Sequence, residues 1–482
     1  MSDSLKSKAI KGTLWSSLER FSVQGIQFVV MIIMARILTP EDYGLIGMLT
    51  IFIAVSQSLI DSGFSQAIIR KQDRNETDNS TAFFFNIGVG IFLYLILFLC
   101  APLIADFYGH PILTPLTRAI GLGLLFNSLA VVQRALLTVR LDFRTQAKAS
   151  LIGAVISGVV GISMAHTGYG VWSIVAHQLT NLFLVTVFLW IFSKWKPSWT
   201  YSWKSFKELF GFGSKLMLSG LIDTVYHNLY LIVIGKVFKA SDVGYFTRAQ
   251  QFSDLISSNL TGILQRVTYP VLCTIQDEDA RLRDAYRKIL KISVFIIFPL
   301  LAGLGAVGRP LILTLLSEKW IFVATLLIPL SLTGMWYPVH AINLNLLQVK
   351  GRSDLFLRLE IIKKIIGVII MCISIPFGLT PMCWGLLVNS LIALSINTYY
   401  TGQLINLGFM TQMKDILPTL LLSLTMGSIV YATVNILLLS PLWNLLIGIM
   451  EAVACYYLLA RVFRFKELYE LRDCLHGNLS LK

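Results

Sequence analysis

The residues of this sequence that could do chemistry are polar and ionisable side chains placed inside long apolar runs. An ionisable group inside an apolar span is costly, so such groups usually face a wet cavity or the interior of a helix bundle. Nine residues of this kind are the candidates for a functional site: Arg20, Gln24, Gln27, Asp61, Arg118, Asp223, His227, Asn228 and Arg248.

The three arginines among the candidates suggest an anionic ligand. A guanidinium group binds phosphate oxygens through two parallel hydrogen bonds, so a cavity lined by Arg118 and Arg248 would suit a pyrophosphate, and Arg20 would attract it from one side. Each arginine also has a structural interpretation, in which Arg20 extends to the membrane surface and Arg118 and Arg248 stabilise helix packing. The sequence leaves both interpretations open.

The acidic residues and the histidine suggest coupling to an ion. Asp223 and His227 lie one turn apart in the middle of an apolar run, where a side chain cannot easily reach water. Asp61 lies nearer the end of its run and could instead cap or pair there. Carboxylates and imidazoles inside membranes commonly carry protons or Na⁺, so we expect H⁺ or Na⁺ coupling at Asp61, Asp223 and His227.

The composition defines the elements that must hold these residues. The chain has 482 residues, of which 55% are hydrophobic and only 14% charged, whereas an average soluble domain has about 25% charged residues. Apolar runs long enough to span a membrane recur along the chain, which excludes a soluble globular protein, a disordered protein and a small disulfide scaffold. The sequence therefore predicts an all-α integral membrane protein. The six cysteines lie apart, without metal-site spacing, and no metal or cofactor is expected.

Apolar runs separated by turn signals predict about fourteen transmembrane helices. The predicted spans are 14–36, 43–66, 82–106, 112–134, 147–167, 169–193, 209–238, 243–270, 290–316, 321–346, 358–376, 381–403, 415–438 and 441–461.

The distribution of lysine and arginine predicts the orientation of these spans. The formal net charge is +14, and most of the basic residues fall on the side of the two termini. Because basic loops remain in the cytoplasm, both termini are expected there. The basic residues assigned to the opposite side are few: Arg36, Lys236, Lys239, Arg248, Arg309 and Lys319. The charge thus belongs to a membrane surface, and a nucleic-acid partner is excluded.

A short motif recurs at a spacing of 200 residues. Residues 36–44 (RILTPEDYG) and 236–244 (KVFKASDVG) share a basic residue, two apolar residues, an aspartate and a final glycine. Each copy joins an odd span to an even span. The match predicts two six-helix lobes in a parallel pseudo-repeat around a central cavity, with two extra helices at the C-terminus.

The repeat predicts four regions. These are an N-lobe over residues 1–193, an interfacial amphipathic linker over 194–208, a C-lobe over 209–403, and spans 13 and 14 with a cytoplasmic tail over 404–482. In the linker, Trp195, Trp199 and Trp203 recur among lysines, which is typical of a segment lying at the membrane surface, and Pro197 is expected to begin its helix. A partner-binding stripe is the alternative.

Motifs typical of enzymes are weak here, so we expect no enzymatic activity and no catalytic residues. The sequence lacks a P-loop and the HExxH, GxSxG and GxGxxG patterns. Asp277-Glu278-Asp279 resembles a DxD motif, but it precedes a basic run and favours the acidic start of a helix.

Several segments together resemble the Wzx-type polysaccharide exporters of the multidrug/oligosaccharidyl-lipid/polysaccharide superfamily, and most of all the branch with colanic acid and teichuronic acid exporters. The resemblance covers roughly residues 10–400. It rests on the sequences at 36–44, 61–65 (DSGFS), 133–137 (QRALL), 141–143 (LDF), 170–172 (GVW), 210–215 (FGFGSK) and 244–250 (GYFTRAQ).

This resemblance implies a transporter of the bacterial inner membrane. It would flip undecaprenyl-pyrophosphate-linked oligosaccharide repeat units by alternating access, for capsule, exopolysaccharide or O-antigen biosynthesis. Membrane lipids and a polysaccharide polymerase complex are the implied partners. Sugar hydroxyl groups would be bound by Gln24, Gln27 and Asn228, and pyrophosphate by the arginines.

Two other functions fit parts of the same pattern. A cation-coupled multidrug exporter would share the fold, but an acidic cavity would be expected for it, whereas this chain places arginines in its spans. A membrane polysaccharide polymerase would be expected to carry a large outer loop. The outer segments between the predicted spans are too short to form one.

Overall fold

The computed structural model describes residues 21–475 except Ser62 and Leu438, and all regular secondary structure in this part of the chain is helical, without strands. The long helices arise because each apolar run satisfies its backbone hydrogen bonds internally, as a bilayer requires. The helices are α1 (Phe21–Ile37), α2 (Pro40–Asp61), α3 (Phe64–Arg70), α4 (Glu76–Tyr108), α5 (Leu113–Val139), α6 (Phe143–His166), α7 (Val171–Ser193), α8 (Trp203–Val237), α9 (Ala240–Thr274), α10 (Asp279–Ala306), α11 (Gly308–Leu315), α12 (Ile321–Met335), α13 (Tyr337–Val349), α14 (Ser353–Ser374), α15 (Leu379–Ile405), α16 (Phe409–Ile436), α17 (Pro441–Val462) and α18 (Lys466–Leu475).

The predicted all-α membrane fold is confirmed. In the described part of the chain, ten helical stretches are long and apolar enough to cross a membrane. Helices α8, α9 and α14 are also long and match predicted spans, but charged and polar residues lower their hydropathy. Helix α1 is described from Phe21 and matches the rest of the first predicted span. Two predicted spans are broken helices, α10–α11 and α12–α13, with the breaks at Val307 and Trp336.

The helices form two compact units, residues 1–244 and 245–482. In the first unit α4 packs along α5, α6 along α7, and α2 along α8. In the second unit α10 packs against α12 and α16, and α15 against α12, α13 and α14. The first unit includes α8, which the sequence repeat assigns to the second lobe. The packing therefore divides the chain after residue 244, whereas the repeat divides it before α8. The four-region division stays a prediction.

The two copies of the repeated motif meet inside the first unit. A Cβ atom on Gly44 would collide with the backbone carbonyl of Ala240, and one on Gly244 would collide with the carbonyl of Pro40. The contacts are reciprocal, since each glycine packs against the residue that begins the helix of the other copy. Only glycine permits so close an approach of two backbones, which explains why the motif ends in this residue twice.

Two other motif segments also meet, at the break between α2 and α3. Gly63 has a positive φ of 67°, and its Cα lies against Gly213 of α8, so that a Cβ would come within 2.5 Å of the Gly213 carbonyl oxygen. Next to it Phe64 is buried against Phe85, Phe206 and Phe210. The break therefore directs the chain into an aromatic core.

The linker differs from its predicted form. Pro197 does not begin a helix, because residues 194–202 are non-helical and α8 begins at Trp203 with the Ser202 hydroxyl accepting from the Ser205 N–H. Trp195 is buried and donates to Glu76, whereas Trp199 is 94% exposed and stacks on Phe84.

Hydrogen bonds fix this non-helical segment to α4. The Ser198 N–H donates to Ser80, and the Ser202 N–H donates to Thr81, each over 3.0 Å. The non-helical part of the linker is therefore held against α4 by hydrogen bonds.

The acidic tripeptide at 277–279 begins a helix, as predicted. Helix α10 begins at Asp279, and Glu278 pairs with Arg281 one turn later. An acidic first turn stabilises the positive end of the helix dipole, and this role accounts for the motif without glycosyltransferase chemistry.

Candidate functional site

A small polar cavity of about 150 Å³ lies inside the first unit, between α2, α5 and α7. Its polar residues are Thr50 and Gln57 on α2 and Gln178 on α7, and its α5 wall is Ile120. The cavity carries amide and hydroxyl groups but no charged side chain.

A second polar cavity, of about 200 Å³, lies inside the second unit between α9, the α12–α13 pair and α15. Its polar lining residues are Gln250, Ser253, Asp254, Ser257, Thr333, Tyr337, His340 and Ser390. Close packing of α9 and α12 builds one wall, because Gly334 leaves room for the Ser253 hydroxyl, which donates to the Leu330 carbonyl over 3.0 Å.

The two cavities are equivalent by the 200-residue repeat. Thr50, Ile53, Ala54 and Gln57 line the first cavity, and the residues 200 positions later line the second. The other walls correspond as well, since α5 and α7 are the fourth and sixth predicted spans and α12–α13 and α15 are the tenth and twelfth. The repeat thus extends from the motif to a pair of sites, one in each unit.

The second cavity opens onto a buried hydrogen-bond network. His340 lies one turn after the helix break at Trp336, and its Nε2 lies 2.8 Å from Ser390 Oγ and its Nδ1 3.1 Å from Asn397 Nδ2. One turn further along α15, the Thr401 hydroxyl contacts the Asn397 carbonyl and donates to Asn343 Oδ1 over 2.7 Å.

The network continues toward the end of α15 at Ile405. Asn343 and Gln412 are buried and exchange two hydrogen bonds of 3.0 Å each. Gln412 also donates to the Leu407 carbonyl. Buried amides joined in this way hold α13, α15 and α16 in a fixed arrangement.

The candidate residues predicted from the sequence lie elsewhere. Arg20 falls outside the described residues. Gln24 is partly buried on α1, and Gln27, also on α1, is exposed. None of the predicted site residues that the structure describes lines either of the two cavities.

Arg118 and Arg248 each have a local partner. The Arg118 guanidinium lies 4.3 Å from the centre of the Phe98 ring and its Nε lies 3.4 Å from the Phe98 carbonyl, so this arginine ties α5 to α4. Arg248 donates to Gln251 one turn along α9. These contacts fit the stabilising interpretation of both residues, and their predicted role in binding an anionic ligand stays a prediction.

Asp61 has polar and charged neighbours on α5. It ends α2, and the groups that face its carboxylate are Asn127 and Arg134 of α5. An acid, an amide and a guanidinium therefore lie together within the first unit.

The predicted residues on α8 differ in exposure. Asp223 and His227 are exposed, and Asn228 is partly buried with its amide donating to the Thr224 carbonyl one turn earlier. The predicted proximity of Asp223 and His227 follows from their four-residue spacing on one helix.

Sequence reasoning missed the cavity residues of the second unit. Asp254 was visible as a polar residue of a span, but His340, Ser390 and Asn397 were not selected. Two signals could have found the site: the 200-residue offset, which maps 50–57 onto 250–257, and the isolated histidine in the C-terminal part of the tenth predicted span.

Comparison with known proteins adds the family. The model of the family described as "Polysaccharide biosynthesis protein" matches residues 33–325, more than half of the chain. The chain belongs to this family. The chain is similar to the teichuronic acid biosynthesis protein TuaB of Bacillus subtilis, 24% identical over 89% of both chains, and to the lipopolysaccharide biosynthesis protein WzxC of Escherichia coli, 27% identical over 75% of this chain and 74% of that one. The succinoglycan biosynthesis transport protein ExoT of Rhizobium meliloti is 23% identical over 64% of this chain and 62% of its own.

Solved structures show which fold this family member has. The lipid II flippase MurJ in an inward closed conformation matches 93% of this chain and 98% of its own with a TM-score of 0.76, at 15% identity. An inward-facing multidrug resistance MATE transporter matches 79% of this chain and 94% of its own with a TM-score of 0.64, at 16% identity. The chain has the fold of this flippase and this transporter, and it is a multi-pass membrane protein.

Proposed function

We propose that this protein flips lipid-linked oligosaccharides, carried on undecaprenyl pyrophosphate, across the bacterial inner membrane for surface polysaccharide biosynthesis. The observation that carries the proposal is the combination of a polysaccharide biosynthesis family with the fold of a lipid II flippase along almost the whole chain. A chain that is nearly all membrane helix offers a path for a polar headgroup but leaves little room for a separate catalytic domain.

The proposed mechanism is alternating access with cytoplasmic termini. Helices broken within the membrane, such as α12–α13 at Trp336, support it, because such breaks are typical of transporter binding regions. Pyrophosphate recognition is assigned to Arg20, Arg118 and Arg248, sugar recognition to Gln24, Gln27 and Asn228, and ion coupling to Asp61, Asp223 and His227. A polymerase complex would take up the product on the far side.

The test is deletion and complementation in the native host, with lipid-linked repeat units measured in each membrane leaflet. Loss of the protein should leave single repeat units in the inner leaflet and remove surface polysaccharide. Wild-type protein should restore export, and Arg248→Ala should not. Arg248→Lys should restore only part of it, because lysine keeps the charge but cannot make two parallel hydrogen bonds. Arg309→Ala removes an exposed arginine outside the proposed site and is the matched control.

Two other outcomes would replace the proposal. Single repeat units in the outer leaflet would indicate polymerisation as the missing step. Normal polysaccharide together with new sensitivity to cationic drugs would indicate a multidrug exporter, the second candidate, which the likeness to the MATE fold favours.

A further inference from the structure

The two equivalent cavities differ in charge. Thr50, Ala54 and Gln57 in the first unit correspond to Gln250, Asp254 and Ser257 in the second. Among the described lining residues, a carboxylate and an imidazole occur only in the second cavity. Titratable groups inside a membrane protein are typical of functional sites. The difference therefore marks the second cavity as the candidate for binding a proton or an ion.

The contacts of His340 match a neutral imidazole. With the amide nitrogen of Asn397 facing Nδ1, that ring nitrogen would accept a hydrogen bond, and the proton on Nε2 would be donated to Ser390. His340 is partly buried and is one of the residues that line the cavity.

The side chain of Asn397 could also present its amide oxygen to His340. This side chain is 1% exposed, and its Oδ1 has no hydrogen-bond partner among the described residues. Rotation of the amide by half a turn would place Oδ1 against Nδ1, where it would accept from a protonated ring. An unpartnered buried acceptor is costly, and protonation of His340 would relieve that cost.

Charged groups surround the imidazole on several helices. Asp254 on α9 lines the same cavity and supplies a negative charge, and Tyr337 lies one turn before His340 on α13. On α14 the cation that faces the ring is Lys363, which is already paired with Glu360. Lys363 opposes a proton on His340, and Asp254 is the carboxylate in the described cavity lining that could compensate one.

We propose that His340 is a proton-binding site of this transporter, with rotation of the Asn397 amide as its switch and Asp254 as its counter-charge. In this proposal the described conformation is the deprotonated form. One proton moves from a hydronium ion that enters the cavity to Nδ1, a water molecule is left behind, and no other covalent bond changes. This proposal rests on the proposed function for the coupling of that proton to transport, whereas the protonation itself does not depend on it.

The direct test is NMR of the full-length protein, labelled with ¹⁵N-histidine, in lipid nanodiscs. The chain has six histidines, and the signal that disappears in His340→Gln is assigned to His340. His110→Gln, in the turn after α4, is the matched control. On acidification between about pH 8 and pH 4, the His340 signal should change from neutral imidazole to imidazolium.

Two variants test the switch and the counter-charge. Asn397→Asp offers a permanent acceptor and should raise the midpoint of the His340 titration by about one pH unit or more. Asp254→Asn should lower it. A His340 signal that stays neutral throughout, or a midpoint that neither variant moves, would overturn the proposal.

Coupling is measured separately, in proteoliposomes with a lipid-linked oligosaccharide and an imposed pH gradient. The wild type should flip faster with the gradient than without it, and His340→Gln should lose this difference. If the wild type does not flip the lipid at all, the proposed function fails while the NMR result still stands. If both proteins respond equally to the gradient, the coupling role of His340 is excluded.

Discussion

At the residue scale, the cluster around Lys71 shows how a loop between helices is held. Lys71 pairs with Asp78 over 3.1 Å and with Glu208 over 2.8 Å. Asp78 is buried and forms a capping box with Asn75 at the start of α4. The hydrogen bond to Glu208 and the pairing with Asp78 outweigh desolvation and hold the pKa of Lys71 above its usual range.

This cluster predicts unequal costs for its two partners. Lys71→Ala leaves the buried carboxylate of Asp78 without its cation and should destabilise the protein by about 1–3 kcal/mol. Glu208→Gln, at a carboxylate whose side chain is 55% exposed, should cost less than about 1 kcal/mol. Thermal unfolding in detergent at neutral pH measures both. Because the Lys71 pKa is raised, its stabilisation is complete below the ordinary lysine pKa and is lost as pH rises past the shifted value. Equal costs for the two variants would contradict this assignment.

Residue types were easier to predict from sequence than their partners. The acidic start of α10 was predicted because capping is local, within one helical turn. Arg118 could not be assigned to Phe98 in advance, since that contact joins two helices whose rotation about their axes is set by packing. His340 was missed because its meaning depends on Ser390 and Asn397, some fifty residues away along the chain.

At the element scale, the reciprocal contact of Gly44 and Gly244 governs how two helix starts approach each other. Because the limiting atoms are backbone carbonyls, a neighbouring side chain cannot move aside to make room. A methyl group at either position forces the helices apart.

Gly44→Ala and Gly244→Ala should therefore each destabilise the protein by at least about 1–3 kcal/mol, the usual cost of overpacking. Lower yield of folded protein and a lower Tm in detergent are the expected readouts. Gly25→Ala on α1, where a Cβ would meet no atom within 4 Å, is the control and should be neutral. A Tm for Gly44→Ala equal to that of the control would contradict the proposed close approach.

The sequence located the helices well because a membrane span needs an apolar run of fixed length. The sequence predicted the ends and breaks of helices less well where hydrogen bonds, rather than hydropathy, determine the backbone conformation. The linker was expected to become helical at Pro197, yet hydrogen bonds to Ser80 and Thr81 hold it extended as far as Ser202. The breaks at Val307 and Trp336 also went unpredicted, since a short interruption leaves the apolar pattern intact.

At the scale of the whole molecule, the distribution of basic residues makes a testable statement about orientation. Exposed residues of two loops lie on opposite sides of the predicted membrane: Asp277 before α10 and Glu318 after α11. With native cysteines replaced, a membrane-impermeant thiol reagent added to intact cells should label Glu318→Cys but not Asp277→Cys. Permeabilised cells should show labelling of both. The reverse pattern in intact cells would place the termini outside.

The repeat was the most informative long-range signal in the sequence. One nine-residue match predicted a duplicated architecture, and the same 200-residue offset relates the lining residues of the two cavities. The difference in charge between those cavities was also present in the sequence, as Ala54 against Asp254. Its significance became visible only when α12–α13 and α15 brought His340 and Ser390 to the same place.

The anchored segment between α7 and α8 has a practical consequence for proteolysis. A protease must draw an extended stretch of backbone into its active site, so a loop is cut readily only when it can detach from its surroundings. Residues 195–202 are tied to α4 at Glu76, Ser80 and Thr81. The stretch that looks like the natural place to divide this chain should resist nicking, and a split version of the protein would be better cut elsewhere.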